Sequence, residues 1–173
     1  MEGIYEDFPK VHHGVAVFSC EAECEALQRA LIRLFHRINM GVEPVEAPAL
    51  TSQGVSLILE IGVASGLAFN FIDDEEMGRW VNLLRERKLD TLDFILIARY
   101  YVSRGGRRRP LRFDYYMLRF TFRPGAMEIR VHHERGTRRL PIEDLLRLLG
   151  EKISLNLMRE GEGQLSLRSL TAL

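Results

Sequence analysis

The pattern of hydrophobic and polar positions predicts three helices. Apolar residues recur at helical spacing from Leu27 to Ile38, after a predicted N-cap at Ser19, and arginines repeat every four residues on another face. Four acidic residues at 73–76 precede a second apolar stripe, and three cations follow it at 85–88, which is the order that the helix dipole favours. A third helix is predicted from Leu140, with proline in its first turn.

Short apolar or alternating runs predict the strands, and prolines or glycines predict loops at 41–54 and 104–110. Hairpins rather than crossovers join these runs. We therefore expect an α+β fold, with a mainly antiparallel sheet of five to six strands and three helices packed largely on one face. Residues 1–163 are predicted to form a single domain, in which 1–13 is a loosely held arm, and 164–173 a leucine-rich C-terminal tail. The predicted strands are 14–19, 55–62, 67–72, 93–103, 111–122 and 126–133.

The last two predicted strands form a hairpin whose register can be written residue by residue. A two-residue turn at Pro124-Gly125 places Phe122 opposite Met127 and Arg119 opposite Arg130. In that register His133 faces inward and His132 outward. The apolar positions change parity, being odd from 111 to 117 and even from 118 to 122, and this predicts a β-bulge near Tyr116–Leu118.

Composition excludes several classes of protein. With 173 residues, 46% of them hydrophobic and 28% charged, the chain is neither a disordered tail nor a fibrous repeat. No apolar run approaches the ~20 residues of a membrane helix. Residues 1–10 include three acidic side chains, so we expect no secretion signal and a cytoplasmic protein.

Charge changes the picture, because the 24 cationic and 24 acidic residues are segregated along the chain. Residues 1–98 hold 8 Lys/Arg and 16 Asp/Glu, whereas residues 99–139 hold 12 arginines and 3 acidic residues. Arginine accounts for 21 of the cations, a bias that a GC-rich, thermophilic genome would also produce. Arginine binds phosphate in a bidentate manner and stacks on rings, which lysine cannot do.

This arginine-rich stretch predicts a non-enzymatic module that binds nucleic acid, either RNA or single-stranded DNA. Tyrosines at 100, 101, 115 and 116 lie among the arginines, and rings beside cations are typical of single-strand binding. The predicted contacts come from the 104–112 loop and the hairpin that follows it. They are Arg104, Arg107, Arg108, Arg109, Arg112, Arg119, Arg123 and Arg130.

Two alternatives remain open. The tyrosines can belong to the core while the arginines pair with the acidic first half of the same chain. Alternatively, the chain is a self-assembling scaffold or complex subunit, such as a homodimer, in which the basic hairpin meets an acidic surface of a second copy or of a partner protein.

Other chemistry has weaker support. Cys20 and Cys24, four residues apart on one predicted helix face, could bind zinc with a histidine, but two buried thiols explain the spacing better. The sequence contains no nucleophile or phosphate-loop motif, and we predict no catalytic residue, cofactor or metal.

The C-terminal tail resembles a peptide that docks on sliding clamps. The resemblance lies in Gln164, Leu167 and Leu170, although the aromatic pair of that peptide is lacking.

Overall fold

The computed structural model describes residues 5–173 as an α+β fold, with eight strands and four helices in that range rather than the predicted five to six and three. The additional elements are the strands β5 and β8 and the short helix α2. The strands are β1 (Gly14–Cys20), β2 (Val55–Ser65), β3 (Ala68–Phe71), β4 (Thr91–Arg104), β5 (Arg107–Pro110), β6 (Asp114–Arg123), β7 (Ala126–Arg135) and β8 (Leu165–Ala172). The helices are α1 (Cys24–Asn39), α2 (Pro48–Thr51), α3 (Asp74–Glu86) and α4 (Ile142–Arg159).

All strand pairings are antiparallel, and the order is β3-β2-β4-β6-β7-β1-β8, with β5 paired to β4. The C-terminal tail becomes β8, which lies on the outer side of β1. Leu165 and Leu170 of the tail pack against the core of this domain, whereas Leu167 and Leu173 are exposed. Within residues 5–173, no helix combines the length and the apolar character that crossing a membrane requires.

The main core lies between the helices and one face of the sheet. Even-numbered residues of β1, β4 and β6 point to this face, which we call the helix face. Phe35 of α1 packs edge-on against Phe94 of β4 and Phe120 of β6, with ring centroids 4.9 and 5.9 Å apart. All three side chains are fully buried, so this cluster fixes α1 against the centre of the sheet.

The opposite face, which we call the helix-free face, is partly covered by the N-terminal arm. Tyr5 and Phe8 are buried, Tyr5 donates to Asp93, and the Arg119 guanidinium lies 5.1 Å from the centre of the Phe8 ring. The prediction of a loosely held arm is therefore wrong for residues 5–13, because two aromatic side chains anchor it to the sheet. Residues 1–4 lie outside the described range.

The β6–β7 register is confirmed pair by pair, including Phe122 with Met127 and Arg119 with Arg130. Gly125 takes the positive φ that a two-residue Pro-Gly turn requires. A register shift does lie next to the predicted position, between Tyr115 and Tyr116, but the extra residue is Glu134 in β7 and not a residue of β6. The apparent change of parity arises because apolar residues of β6 lie on both faces of the sheet.

Candidate nucleic-acid interface

The arginine-rich segment 104–110 is a β-hairpin and not the loop predicted from sequence. Gly105 and Gly106 both have positive φ, at 57° and 77°, and join β4 directly to β5. A two-residue turn with this geometry matches the twist of the flanking strands and needs glycine at both positions. The Gly-Gly pair after the β4 run was the sequence signal for this hairpin, which composition alone had assigned to a loop.

Five of the predicted contacts lie at this end of the sheet, and we call them the basic end. They are exposed, and within residues 5–173 none of them lies within 4.0 Å of a carboxylate oxygen. Arg108 pairs with Ser103 and points to the helix-free face, whereas Arg107 and Arg109 point to the other side of the hairpin. The five are Arg104, Arg107, Arg108, Arg109 and Arg112.

Three aromatic side chains lie beside the basic end on the helix-free face. Tyr101 is in β4, Tyr115 is in β6, and Phe113 immediately precedes β6; all three are half-buried. The Arg108 guanidinium lies 4.4 Å from the centre of the Tyr101 ring, and that of Arg135 lies 5.2 Å from the centre of the Tyr115 ring. Both distances are within the range of cation–π attraction.

The other three predicted contacts lie elsewhere. Arg119 forms a bidentate pair with Asp93, both N–O distances being 2.8 Å, and Arg130 pairs with Glu128 at 2.5 Å. Arg123 is exposed at the far end of β6, about 30 Å from the basic end by strand length. The alternative of arginines neutralised by the chain's own carboxylates thus describes Arg119 and Arg130, but not the basic end.

The other two tyrosines of the arginine-rich stretch belong to the core, as the alternative of core tyrosines and internally paired arginines proposed for all four. Tyr100 and Tyr116 are fully buried on the helix face. Tyr100 donates to Asp114 at 2.6 Å, and Tyr116 donates to the Leu140 carbonyl oxygen at 2.5 Å. Adjacent residues of a strand point to opposite faces, so each tyrosine pair supplies one ring to the core and one to the interface.

Asp114 organises the segment behind the basic end. Its Oδ1 accepts from the Arg138 backbone N–H at 2.7 Å and lies 2.8 Å from His133 Nε2. Its Oδ2 accepts from the Arg139 backbone N–H at 2.7 Å and from the Tyr100 hydroxyl. The side chain has no exposed area, so it serves to fold the 136–140 segment and cannot be reached by a substrate.

The ionised form of Asp114 is favoured in spite of its burial. Burial by itself raises the pKa of this carboxyl, but the hydrogen bonds from Tyr100, His133 and two backbone N–H groups lower it more, and the net pKa lies below the ordinary value. Burial and the adjacent carboxylate raise the pKa of the Tyr100 hydroxyl far above its ordinary value. The hydrogen bond between them therefore joins a neutral Tyr100 hydroxyl, the donor, to an ionised Asp114 carboxylate, the acceptor.

The cysteines and histidines are not arranged as the alternative of a zinc site would require. Cys20 ends β1 and Cys24 begins α1, so the two buried thiols do not share a helix face. His133 faces inward and His132 outward, as the register predicts. Among residues 5–173, no three side chains of ligand type are grouped closely enough to bind a metal ion.

The acidic residues at the start of α1 lie at the opposite end of the sheet. Four neighbouring strands, β4, β6, β7 and β1, alternate in direction, so β1 ends where β4 begins. Glu21, Glu23 and Glu25 follow β1 and line a shallow cavity with the Pro124-Gly125 turn. This end is not uniformly acidic, because Lys88 lines the same cavity and the exposed Arg123 lies at the same end of β6.

Comparison with known proteins adds no relative: the chain matches no family model, no curated protein and no solved structure.

Proposed function

We propose that this protein binds single-stranded nucleic acid, RNA or DNA, through the basic end of its sheet. The observation that carries the proposal is a set of five exposed arginines with no carboxylate of the described chain within ion-pair distance. Unneutralised guanidinium groups on one hairpin attract a polyanion and can hold its phosphates in a bidentate manner.

The backbone geometry supports the same proposal. A two-residue turn fixes the backbone positions of the arginines on β4 and β5, so the backbone has little order to gain when phosphates bind and the remaining cost is that of ordering the side chains. The 136–140 segment, held by Asp114, adds Arg138 and Arg139 behind the hairpin. The interface is thus largely formed before the ligand arrives.

A charge-matched pair of variants tests the proposal. Replacing Arg107, Arg108 and Arg109 together by glutamine should weaken binding of a labelled 12-nucleotide single strand at least tenfold, as measured by fluorescence anisotropy. The control removes the same charge from three exposed cations near the end of α3, by replacing Arg85, Arg87 and Lys88 with glutamine. Equal affinities for both triple variants, or no binding by the unmodified protein, would refute the proposal.

The carboxylates of Glu21, Glu23 and Glu25, at the end of the sheet opposite to the basic end, favour one further candidate, head-to-tail self-assembly. These carboxylates of one copy can meet the basic end of another, and such a heterologous contact does not close on itself as a twofold dimer does. Sedimentation velocity without nucleic acid distinguishes the two functions. Self-assembly predicts oligomers at low salt that dissociate at high salt, whereas the binding module stays monomeric at both.

A further inference from the structure

A row of three rings crosses the helix-free face next to the basic end: Tyr101, Phe113 and Tyr115, which we call the ring row. The Tyr101 and Phe113 ring centroids are 6.0 Å apart. Tyr115 lies opposite Ile97 in the neighbouring strand, four residues along β4 from Tyr101. The two tyrosines are therefore about 13 Å apart along the strand direction, which is too far for a single base to contact both.

Each end of the ring row has an exposed guanidinium above a half-buried ring. Arg108 lies on Tyr101 and Arg135 on Tyr115, and both arginines are exposed. Arg99 lies 5.6 Å from the centres of both Tyr101 and Phe113, but Glu60 neutralises it. Two planar cations thus form the outer surface of the row.

The N-terminal arm approaches one end of the ring row and leaves the other end open. The arm contacts Asp93, and further along the chain the Val11 carbonyl oxygen lies 2.7 Å from His132 Nδ1. His132 is paired with Met117, two residues from Tyr115 in β6, so the arm ends about 7 Å from Tyr115 along the strand. Tyr101 lies eight residues after Asp93 on β4, about 27 Å away, and is free of the described residues of the arm.

We propose that the ring row is a base-stacking site for the strand whose phosphates the basic end holds. An unpaired base can stack on the outer side of the Arg108 or Arg135 guanidinium group, or it can displace that group and stack on the ring directly. Both modes are available because a guanidinium plane and an aromatic ring each accept a nucleobase. In a duplex the base faces are already stacked on their neighbours and are not available. This inference rests on the proposed function and adds that the ligand is recognised through its unpaired bases.

The site should accept any base. Ring and guanidinium planes contact the faces of a base rather than its hydrogen-bonding edge, and every base has such a face. Stacking is worth roughly fivefold to 150-fold in affinity for each base. Two stacked bases therefore dominate the preference for single strands.

The test compares two double variants on three probes, a 12-nucleotide oligouridylate, an oligothymidylate of the same length and a 12-base-pair DNA duplex. Tyr101→Leu with Tyr115→Leu removes both rings but keeps apolar bulk, and we expect tenfold or greater loss on both single strands with duplex affinity unchanged. Tyr101→Phe with Tyr115→Phe keeps the rings and should retain the affinity. Phe71→Leu removes an exposed ring from β3, outside the row, and serves as a control.

The outcomes separate this inference from the proposed function. If the leucine variant binds both single strands like the unmodified protein while the arginine triple variant does not, the ring row is not a base site and the proposed function stands. If phenylalanine and leucine variants lose affinity alike, the rings do not act by stacking, and the inference is wrong. Loss confined to the oligouridylate would assign the site to RNA, and equal loss on both probes to single strands in general.

Discussion

Replacing Asp114 by asparagine tests how the segment behind the basic end is held. Each carboxylate oxygen accepts one backbone N–H, Oδ1 from Arg138 and Oδ2 from Arg139. An asparagine side chain must turn its NH₂ group toward one of these N–H groups, so one buried donor always loses its acceptor. A lost charge-assisted bond and an unsatisfied buried donor together cost about 3 kcal/mol, against a total stability of about 5–15 kcal/mol.

The cost can be measured by urea unfolding followed through Trp80, the only tryptophan of the chain, which is buried in α3. A loss of about 3 kcal/mol corresponds to a melting temperature lower by roughly 6–12 °C for a chain of this length. Asp90→Asn makes the same change of charge at an exposed site and should alter stability by less than about 0.5 kcal/mol. A cost below about 1 kcal/mol for Asp114→Asn would show that the carboxylate does not hold the segment.

The pH dependence of the same variant follows from the lowered pKa of Asp114. Because the folded state favours the ionised form, the stabilisation is fully present above the unfolded pKa of about 4 and is lost as the pH falls through the lower folded value. The stability difference between the unmodified protein and Asp114→Asn should therefore be constant from pH 7 to 5 and shrink below pH 4. A difference that grows in acid would contradict the assignment.

Three further predictions concern the arm, the segment behind the basic end and the turn. Phe8→Ala should cost about 3 kcal/mol in urea unfolding because Phe8 is buried against the sheet, while Val11→Ala, at a position 60% exposed, should cost little; equal costs would mean that the arm is not anchored through Phe8. Gly136→Ala should lower the melting temperature strongly, because φ is +112° and an added Cβ would lie 2.5 Å from the Phe113 carbonyl oxygen. Gly125→Ala, with φ +79° but open space around it, should cost only about 1 kcal/mol, and a larger loss for Gly125 than for Gly136 would contradict the structure.

Local patterns predicted the elements whose two faces differ clearly. The apolar stripes of α1 and α3 and the Pro-Gly turn gave these helices and the β6–β7 register, because one buried face leaves only one acceptable arrangement. The number of elements was underestimated. β5 is exposed on both faces and contains three arginines, so it lacks the apolar pattern of a strand, and only its pairing with β4 makes it one.

The second face of the sheet was beyond prediction from the sequence. Odd-numbered residues of β6 are half-buried because apolar neighbours and the arm partly cover them, and a period of two cannot show that both faces are occupied. For the same reason the bulge was assigned to β6, whereas the extra residue lies in β7. Asp114 gave no signal either, since its four partners come from three separate segments of the chain, 14 to 25 residues away.

The candidate site was predicted in part. Segregated charge pointed to residues 99–139, and the structure places five of the eight arginines together at the basic end. The ion pairs of Arg119 and Arg130 depend on carboxylates brought close only by strand pairing or by strand geometry. Whether a cation is neutralised is therefore a property of the tertiary structure and not of local composition.

The salt dependence of single-strand binding tests the central claim most directly. Each phosphate contact to a single strand contributes about −0.7 to the slope of log K against log salt concentration. We predict that replacing Arg107, Arg108 and Arg109 by glutamine makes this slope shallower by about 2, while the same charge change at Arg85, Arg87 and Lys88 leaves it unaltered. Identical slopes for the unmodified protein and the hairpin variant would mean that these arginines do not contact phosphate.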